Sequence, residues 1–93
     1  MPDKTVTVVT GASRGIGREM AKALAAAGAL VAILARNADA IAGVVSEIAA
    51  LGGRAEGFAV NLSDRVEVER AFSAVYTALG PVDTLINNYR VIA

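Results

Sequence analysis

The chain has 93 residues, enough for one small domain and too few for two ordinary ones. Lys plus Arg and Asp plus Glu both count nine, so there is no net charge to attract a nucleic acid or an anionic membrane. With no Cys and no His, disulfides, thiol redox pairs, Cys/His zinc sites and His-based catalysis are excluded, and no metal site is expected.

Apolar residues make up 55% and aromatic residues only 4%, so the core must be built from Ala, Val, Ile and Leu. The longest apolar run, Ala23 to Ala35, contains Gly28 and falls short of the roughly 18 residues a membrane span needs. Asp3 and Lys4 precede a strand-like run, which is not the pattern of a signal peptide. The expectation is a soluble cytoplasmic domain without a membrane partner.

In chain order, Thr5 to Thr10 is a β-branched apolar run and predicts a buried strand. Thr10-Gly11-Ala12-Ser13-Arg14-Gly15-Ile16-Gly17 follows as a glycine turn spaced G-x-x-x-G-x-G. Ile16, Met20, Leu24 and Ala27 then recur at helical spacing and predict the buried face of a first helix, capped at Gly28. Leu30 to Ala35 predicts a second strand, ending at Arg36-Asn37. Ile41, Val44, Val45, Ile48 and Leu51 predict the buried face of a second helix, stopped by Gly52-Gly53. Ala55 to Leu62 predicts a third strand, weakened by Gly57. Ser63 or Asp64 can cap a third helix facing inward through Val68, Phe72, Val75 and Leu79. Gly80-Pro81 ends it, and Thr84 to Asn87 predicts a fourth strand.

Strands alternating with helices imply βαβ units in one α/β, Rossmann-like three-layer unit covering residues 1–93. Right-handed crossovers place the parallel strands in the order 3-2-1-4, with two helices on one face and the third on the other. An uncovered apolar sheet face and the free edge of the fourth strand would then favour a homo-oligomer.

The strand, glycine turn and helix together bare backbone N–H groups at a helix N-terminus, where the dipole favours an anion. A phosphate or pyrophosphate is the natural guest. The spacing is neither G-x-G-x-x-G nor the G-x-x-x-x-G-K-[ST] loop, since no Lys follows the last glycine.

Thr10, Gly11, Gly15 and Gly17 match, position by position, the first turn of the short-chain dehydrogenase/reductase family, which the chain resembles in its nucleotide-binding half. The resemblance implies a dinucleotide held by the turn through Gly11, Ser13, Arg14, Gly15, Ile16 and Gly17. Arg36, about 20 residues past Gly17, stands where an acidic residue would bind the ribose of NAD and an Arg accommodates the extra phosphate of NADP. Arg14 occupies the basic position that serves the same preference in the family. Together with Arg36-Asn37 it implies NADP over NAD. Asp39 belongs either to an NAD site or to the first turn of the second helix.

Asn61, with Leu62 beside it, matches the place where the family usually has an Asp that contacts adenine; its amide has both a donor and an acceptor. It reads equally as a turn residue closing the strand. Asn87-Asn88 matches the start of the NNAG motif, where Asn87 and Asn88 tie down loop backbone. Tyr89-Arg90 replaces the expected small pair, which either obstructs the adenosine side of the cleft or turns outward.

The family's catalytic Ser and Tyr-x-x-x-Lys cannot be placed, because Tyr76 is followed four positions on by Gly80 and Tyr89 by Ala93. No catalytic residue is assigned. The reading is the NADP(H)-binding portion of an oxidoreductase acting on a carbonyl or alcohol, inactive alone, with a self-associating structural module as the alternative. A methyltransferase of related fold is the third reading, disfavoured because it wants an acidic residue near Arg36.

Overall fold

The computed structural model describes residues 5–12 and 15–88. Four strands alternate with three helices: β1 (Val6–Thr10), α1 (Gly15–Ala26), β2 (Leu30–Ala35), α2 (Ala38–Ala50), β3 (Arg54–Ala59), α3 (Arg65–Leu79) and β4 (Thr84–Asn87). All three strand pairings are parallel and the sheet runs β3-β2-β1-β4, the expected α/β order.

The unbroken apolar runs of β1 and β2 follow from burial on both faces of the sheet. Val9, Val31 and Ile33 point to the layer formed by α1 and α2, where Ala21, Ala25, Ile41, Val44 and Ile48 meet them. Val8, Ala32 and Leu34 point the other way, under Ala71 and Val75 of α3. Ile33 and Leu34 are both fully buried, one on each face. Each such side chain contributes about 1.5–3 kcal/mol of burial relative to exposure. The sheet needs both layers.

Local chemistry sets the helix ends. Asn37 Oδ1 accepts from Ala40 N at 2.9 Å to cap α2, and Asp64 Oδ1 accepts from Val66 N at 2.9 Å to cap α3. Helix α1 stops at Gly28, with φ of 101°, where Gly28 N donates to Ala25 O and Ala29 N to Leu24 O. At the amino end of the sheet, Asp83 Oδ2 accepts from Val6 N at 2.7 Å, anchoring the segment that leads into β4.

Three expectations need correction. Helix α1 buries Gly17, Ala21 and Ala25 rather than a stripe led by Ile16, which is 73% exposed. Met20 and Leu24 are half-buried and Ala27 is exposed. Both stripes have helical spacing; the small one wins because it lets the helix axis approach the glycine turn and β1. Leu51, the C-cap of α2, is exposed because the helix has ended and its side chain leaves the packed stripe. Strand β3 ends at Ala59, not Leu62, because the Asn61 side chain closes a turn with Ser63 N.

The uncovered sheet face is also narrower than expected. On the α3 side, Val6 and Val8 are buried, and exposed apolar surface on the sheet falls on Leu85 of β4. Among the described residues no helix is long and apolar enough to cross a membrane, and no cluster of Asp or Glu could hold a metal ion.

Candidate functional site

The carboxyl ends of β1, β2, β3 and β4 carry the candidate residues: Thr10, Arg36, Asn61 and Asn87 lie at or just past them. Strand order reverses direction between β1 and β4, and that crossover is where open parallel sheets bind ligands.

At the crossover the chain leaves β1 through Gly11, with φ of 66°, while Gly11 N donates to Leu34 O at 2.8 Å. Ala12 is fully buried beneath the turn. Gly15, with φ of 64°, then starts α1. One turn in, Gly17 has no room for a side chain. A Cβ there would lie 2.6 Å from Gly11 O and 2.6 Å from Asn88 Nδ2. The first turn of α1 therefore packs directly on the backbone of the glycine turn and against the Asn88 side chain at the end of β4. The first N–H groups of α1 have no helical acceptors, so they face the crossover as donors. Such a cradle fits a phosphate. Ser13 and Arg14, assigned to the same turn, lie outside the described residues.

From the β4 side, Thr10 Oγ1 donates to Asn87 Oδ1 and accepts from Asn88 N, both at 2.9 Å. Asn88 Nδ2 reaches Gly11 O at 3.4 Å. Asn87 thus joins the end of β1 to the end of β4, and Asn88 reaches the glycine turn itself. Tyr89 and Arg90 lie outside the described residues.

A second group gathers at the ends of β2 and β3. Arg36 and Asn61 line one depression of about 260 Å³ together with Ala59, Val60 and Glu67. Arg36 is exposed and Asn61 half-exposed. Asn37 is occupied as the α2 cap, and Asp39 sits in the first turn of that helix. Leu62 turns away from the depression to pack against the α3-side core. Ile16 projects outward from α1. Tyr76 lies on the exposed surface of α3, 63% accessible.

Glu67 was not singled out in the sequence. Its Oε1 accepts from Asn61 N at 2.9 Å, pinning the segment that follows β3. The Asp64-x-x-Glu67 spacing at a helix start is the signal that points to it. The α1–α2 clamp was also missed: Arg18 Nε donates to Glu47 Oε1 at 2.9 Å, and Lys22 Nζ lies 3.6 Å from Glu47 Oε2. The hydrogen bond from Arg18 holds the Glu47 carboxyl below its ordinary value, and the same bond raises Arg18.

A larger depression, about 660 Å³, lies at the amino end of the sheet between Thr5, Leu30, Arg54 and Asp83. It is at the opposite end of the strands from the glycine turn. Its Asp83 carboxylate is already committed to Val6 N.

The family model for short chain dehydrogenases matches residues 5–91. The chain belongs to the short-chain dehydrogenase family, a family of oxidoreductases. It is 46% identical over 80 residues to a short chain dehydrogenase of Pseudocercospora fijiensis (strain CIRAD86), covering 86% of this chain and 26% of that protein. A variant of actinorhodin polyketide ketoreductase, solved with NADPH, superposes with a TM-score of 0.90 at 36% identity, covering 92% of this chain and 33% of that one. A metagenomic short-chain oxidoreductase in complex with NADP gives 0.89 at 42% identity, covering 94% of this chain and 39% of that one. The chain thus spans between about a quarter and two fifths of the length of these three proteins.

Proposed function

We propose that residues 1–93 form a single dinucleotide-binding unit that holds NADP(H) for an oxidoreductase acting on a carbonyl or an alcohol. The observation that carries this reading is the cradle at Gly11, Gly15 and Gly17, where a Cβ at position 17 would strike Gly11 O. That close packing seats the start of α1 against the glycine turn, so the helix's N-terminal amides stand beside the turn, where a pyrophosphate can be held. Bound NADP(H) supplies or accepts the hydride, and the protein's share is to bind and orient it.

In this reading Ser13, Arg14 and Ile16 complete the phosphate turn. Arg36 receives the 2′-phosphate through paired, charge-assisted hydrogen bonds, with Asn37 setting the start of α2 beside it. Asn61 borders the adenine, with only the backbone of Leu62 beside it, while Asn87 and Asn88 keep the turn against β4. NADP over NAD is supported by Arg36 in the depression it shares with Asn61, and by the NADP(H) complexes among the similar structures. The chain carries no Tyr-x-x-x-Lys, so we assign it no catalytic residue and expect no turnover from these residues alone.

Fluorescence titration of the purified chain with NADPH and NADH tests the reading. Saturable binding with tighter NADPH is expected; no saturable signal with either sinks it.

A second reading, self-association without catalysis, has one observation in its favour. Leu85 is 52% exposed on β4, a strand that pairs only with β1 among the described residues. Concentration-dependent sedimentation that NADPH leaves unchanged would favour this reading over the first.

A further inference from the structure

We infer that Glu67 is a built-in counter-charge to Arg36, one that limits how strongly the site prefers a 2′-phosphate over a ribose hydroxyl. The inference rests on the NADP(H) reading above and concerns what sets the ratio between the two cofactors.

The depression at the ends of β2 and β3 has two charged residues in its wall, Arg36 and Glu67. Among the described residues no ion pair joins them. Backbone holds Glu67 instead: its Oε1 accepts from Asn61 N at 2.9 Å. Val60 N, one residue earlier, donates to Ala35 O at 2.7 Å, and Arg36 follows Ala35. The Glu67 carboxylate is thus tied to the end of β3, directly beside the strand end that carries Arg36. That separation is on the scale of the Debye length, about 10 Å at 0.1 M salt, so an anion drawn to Arg36 feels both charges. The neighbouring charges are engaged elsewhere. Asp64 caps α3 through Val66 N and Glu67 N, Arg65 pairs with Glu69 at 3.6 Å, and Arg70 borders the adjoining depression.

A 2′-phosphate attracted by Arg36 is repelled by Glu67, whereas a neutral ribose hydroxyl is not. Both side chains are exposed, so water screens the repulsion. Its effect on phosphate binding is about threefold rather than orders of magnitude. Arg36, in bonding contact with the phosphate, outweighs it, and Glu67 trims the preference that Arg36 creates. Glu67→Gln deletes the charge while its carboxamide oxygen still accepts from Asn61 N. Any slackening of the Asn61 segment weakens both dinucleotides alike and cancels in their ratio.

The test is equilibrium titration of NADPH and NADH, at low salt, into the native chain, Glu67→Gln and Glu69→Gln. Glu69 lies on the same helix but outside the depression, so its substitution changes the net charge equally without touching the site. Glu67→Gln should raise the NADPH-to-NADH affinity ratio about threefold. The gain should vanish at about 1 M salt, where the Debye length falls to about 3 Å. Glu69→Gln should leave the ratio where it is in the native chain. A ratio that Glu67→Gln leaves unmoved or lowers, or that Glu69→Gln raises equally, overturns the inference and leaves the NADP(H) reading standing. Failure of the native chain to bind either dinucleotide overturns both.

Discussion

The Thr10 hydroxyl donates to the Asn87 carboxamide oxygen across 2.9 Å, joining the carboxyl ends of two strands 77 residues apart in sequence. The same hydroxyl accepts from Asn88 N at 2.9 Å. With its proton directed at Asn87 and a lone pair at Asn88, one small side chain fixes both asparagines. Thr10→Val keeps the shape and deletes both bonds. It should destabilise the chain by about 1–3 kcal/mol, since two partly buried groups lose a partner. Urea unfolding measures the change, and Thr10→Ser should retain most of the stability. Equal midpoints for the Val variant and the native chain would show that the network is dispensable.

Two glycines on helices make opposite predictions. Gly17→Ala places a methyl 2.6 Å from Gly11 O, where backbone has to give way. A loss of about 1–3 kcal/mol is expected, with weakened nucleotide binding because the cradle itself is displaced. Gly43 lies inside α2 with nothing within 4 Å of where a Cβ would sit. Gly43→Ala should therefore stabilise by about 0.5–1 kcal/mol, the helix cost of glycine. Thermal unfolding of the pair separates steric need from conformational cost.

Arg36→Asp replaces a guanidinium with a carboxylate at the end of β2. Loss of a charge-assisted pair, together with repulsion of a 2′-phosphate, should weaken NADPH by at least about tenfold. NADH, which offers a ribose hydroxyl to the new carboxylate, should hold steady or improve. Parallel titrations give the ratio before and after. An unchanged ratio would remove Arg36 from the site.

Acid should loosen the α1–α2 clamp. Glu47 is held below its ordinary 4.5 first by the hydrogen bond from Arg18. A carboxyl depressed in the folded state adds stability that is fully present above that ordinary value. The contribution is lost as pH falls through the lowered one. Both side chains are 38% exposed, so the effect is small and shrinks further with salt. Glu47→Gln should flatten the acid limb of stability measured by urea unfolding in stepped buffers, with little change in shape above pH 5. Superimposable acid limbs for the native chain and Glu47→Gln would show that the clamp contributes nothing.

Gly57 shows how one residue reads differently with a partner in view. In the sequence it only weakens β3, because glycine lowers strand preference. In the folded chain a Cβ at 57 would overlap Ile41 Cγ2, so α2 lies directly on β3 through that gap. The glycine is where helix meets strand.

The succession of strands, helices and glycine turns was legible along the chain because each is set by neighbours in sequence. β-Branched runs, cap residues and turn glycines act within a few positions, and β2 and β4 lie where their apolar runs predict. The 3-2-1-4 order followed as well, since crossover handedness restricts the topologies. What only the tertiary structure decided was orientation and partnership. Helix period alone could not choose between the Ile16 stripe and the Gly17-Ala21-Ala25 stripe; the space left by Gly11 and Asn88 chose. Likewise, the Asn61 oxygen turns to Ser63, Glu67 reaches Asn61 N, and Arg18 meets Glu47. A side chain's spare bonding capacity depends on which groups arrive beside it. For Arg18 and Glu47 those groups come from different helices.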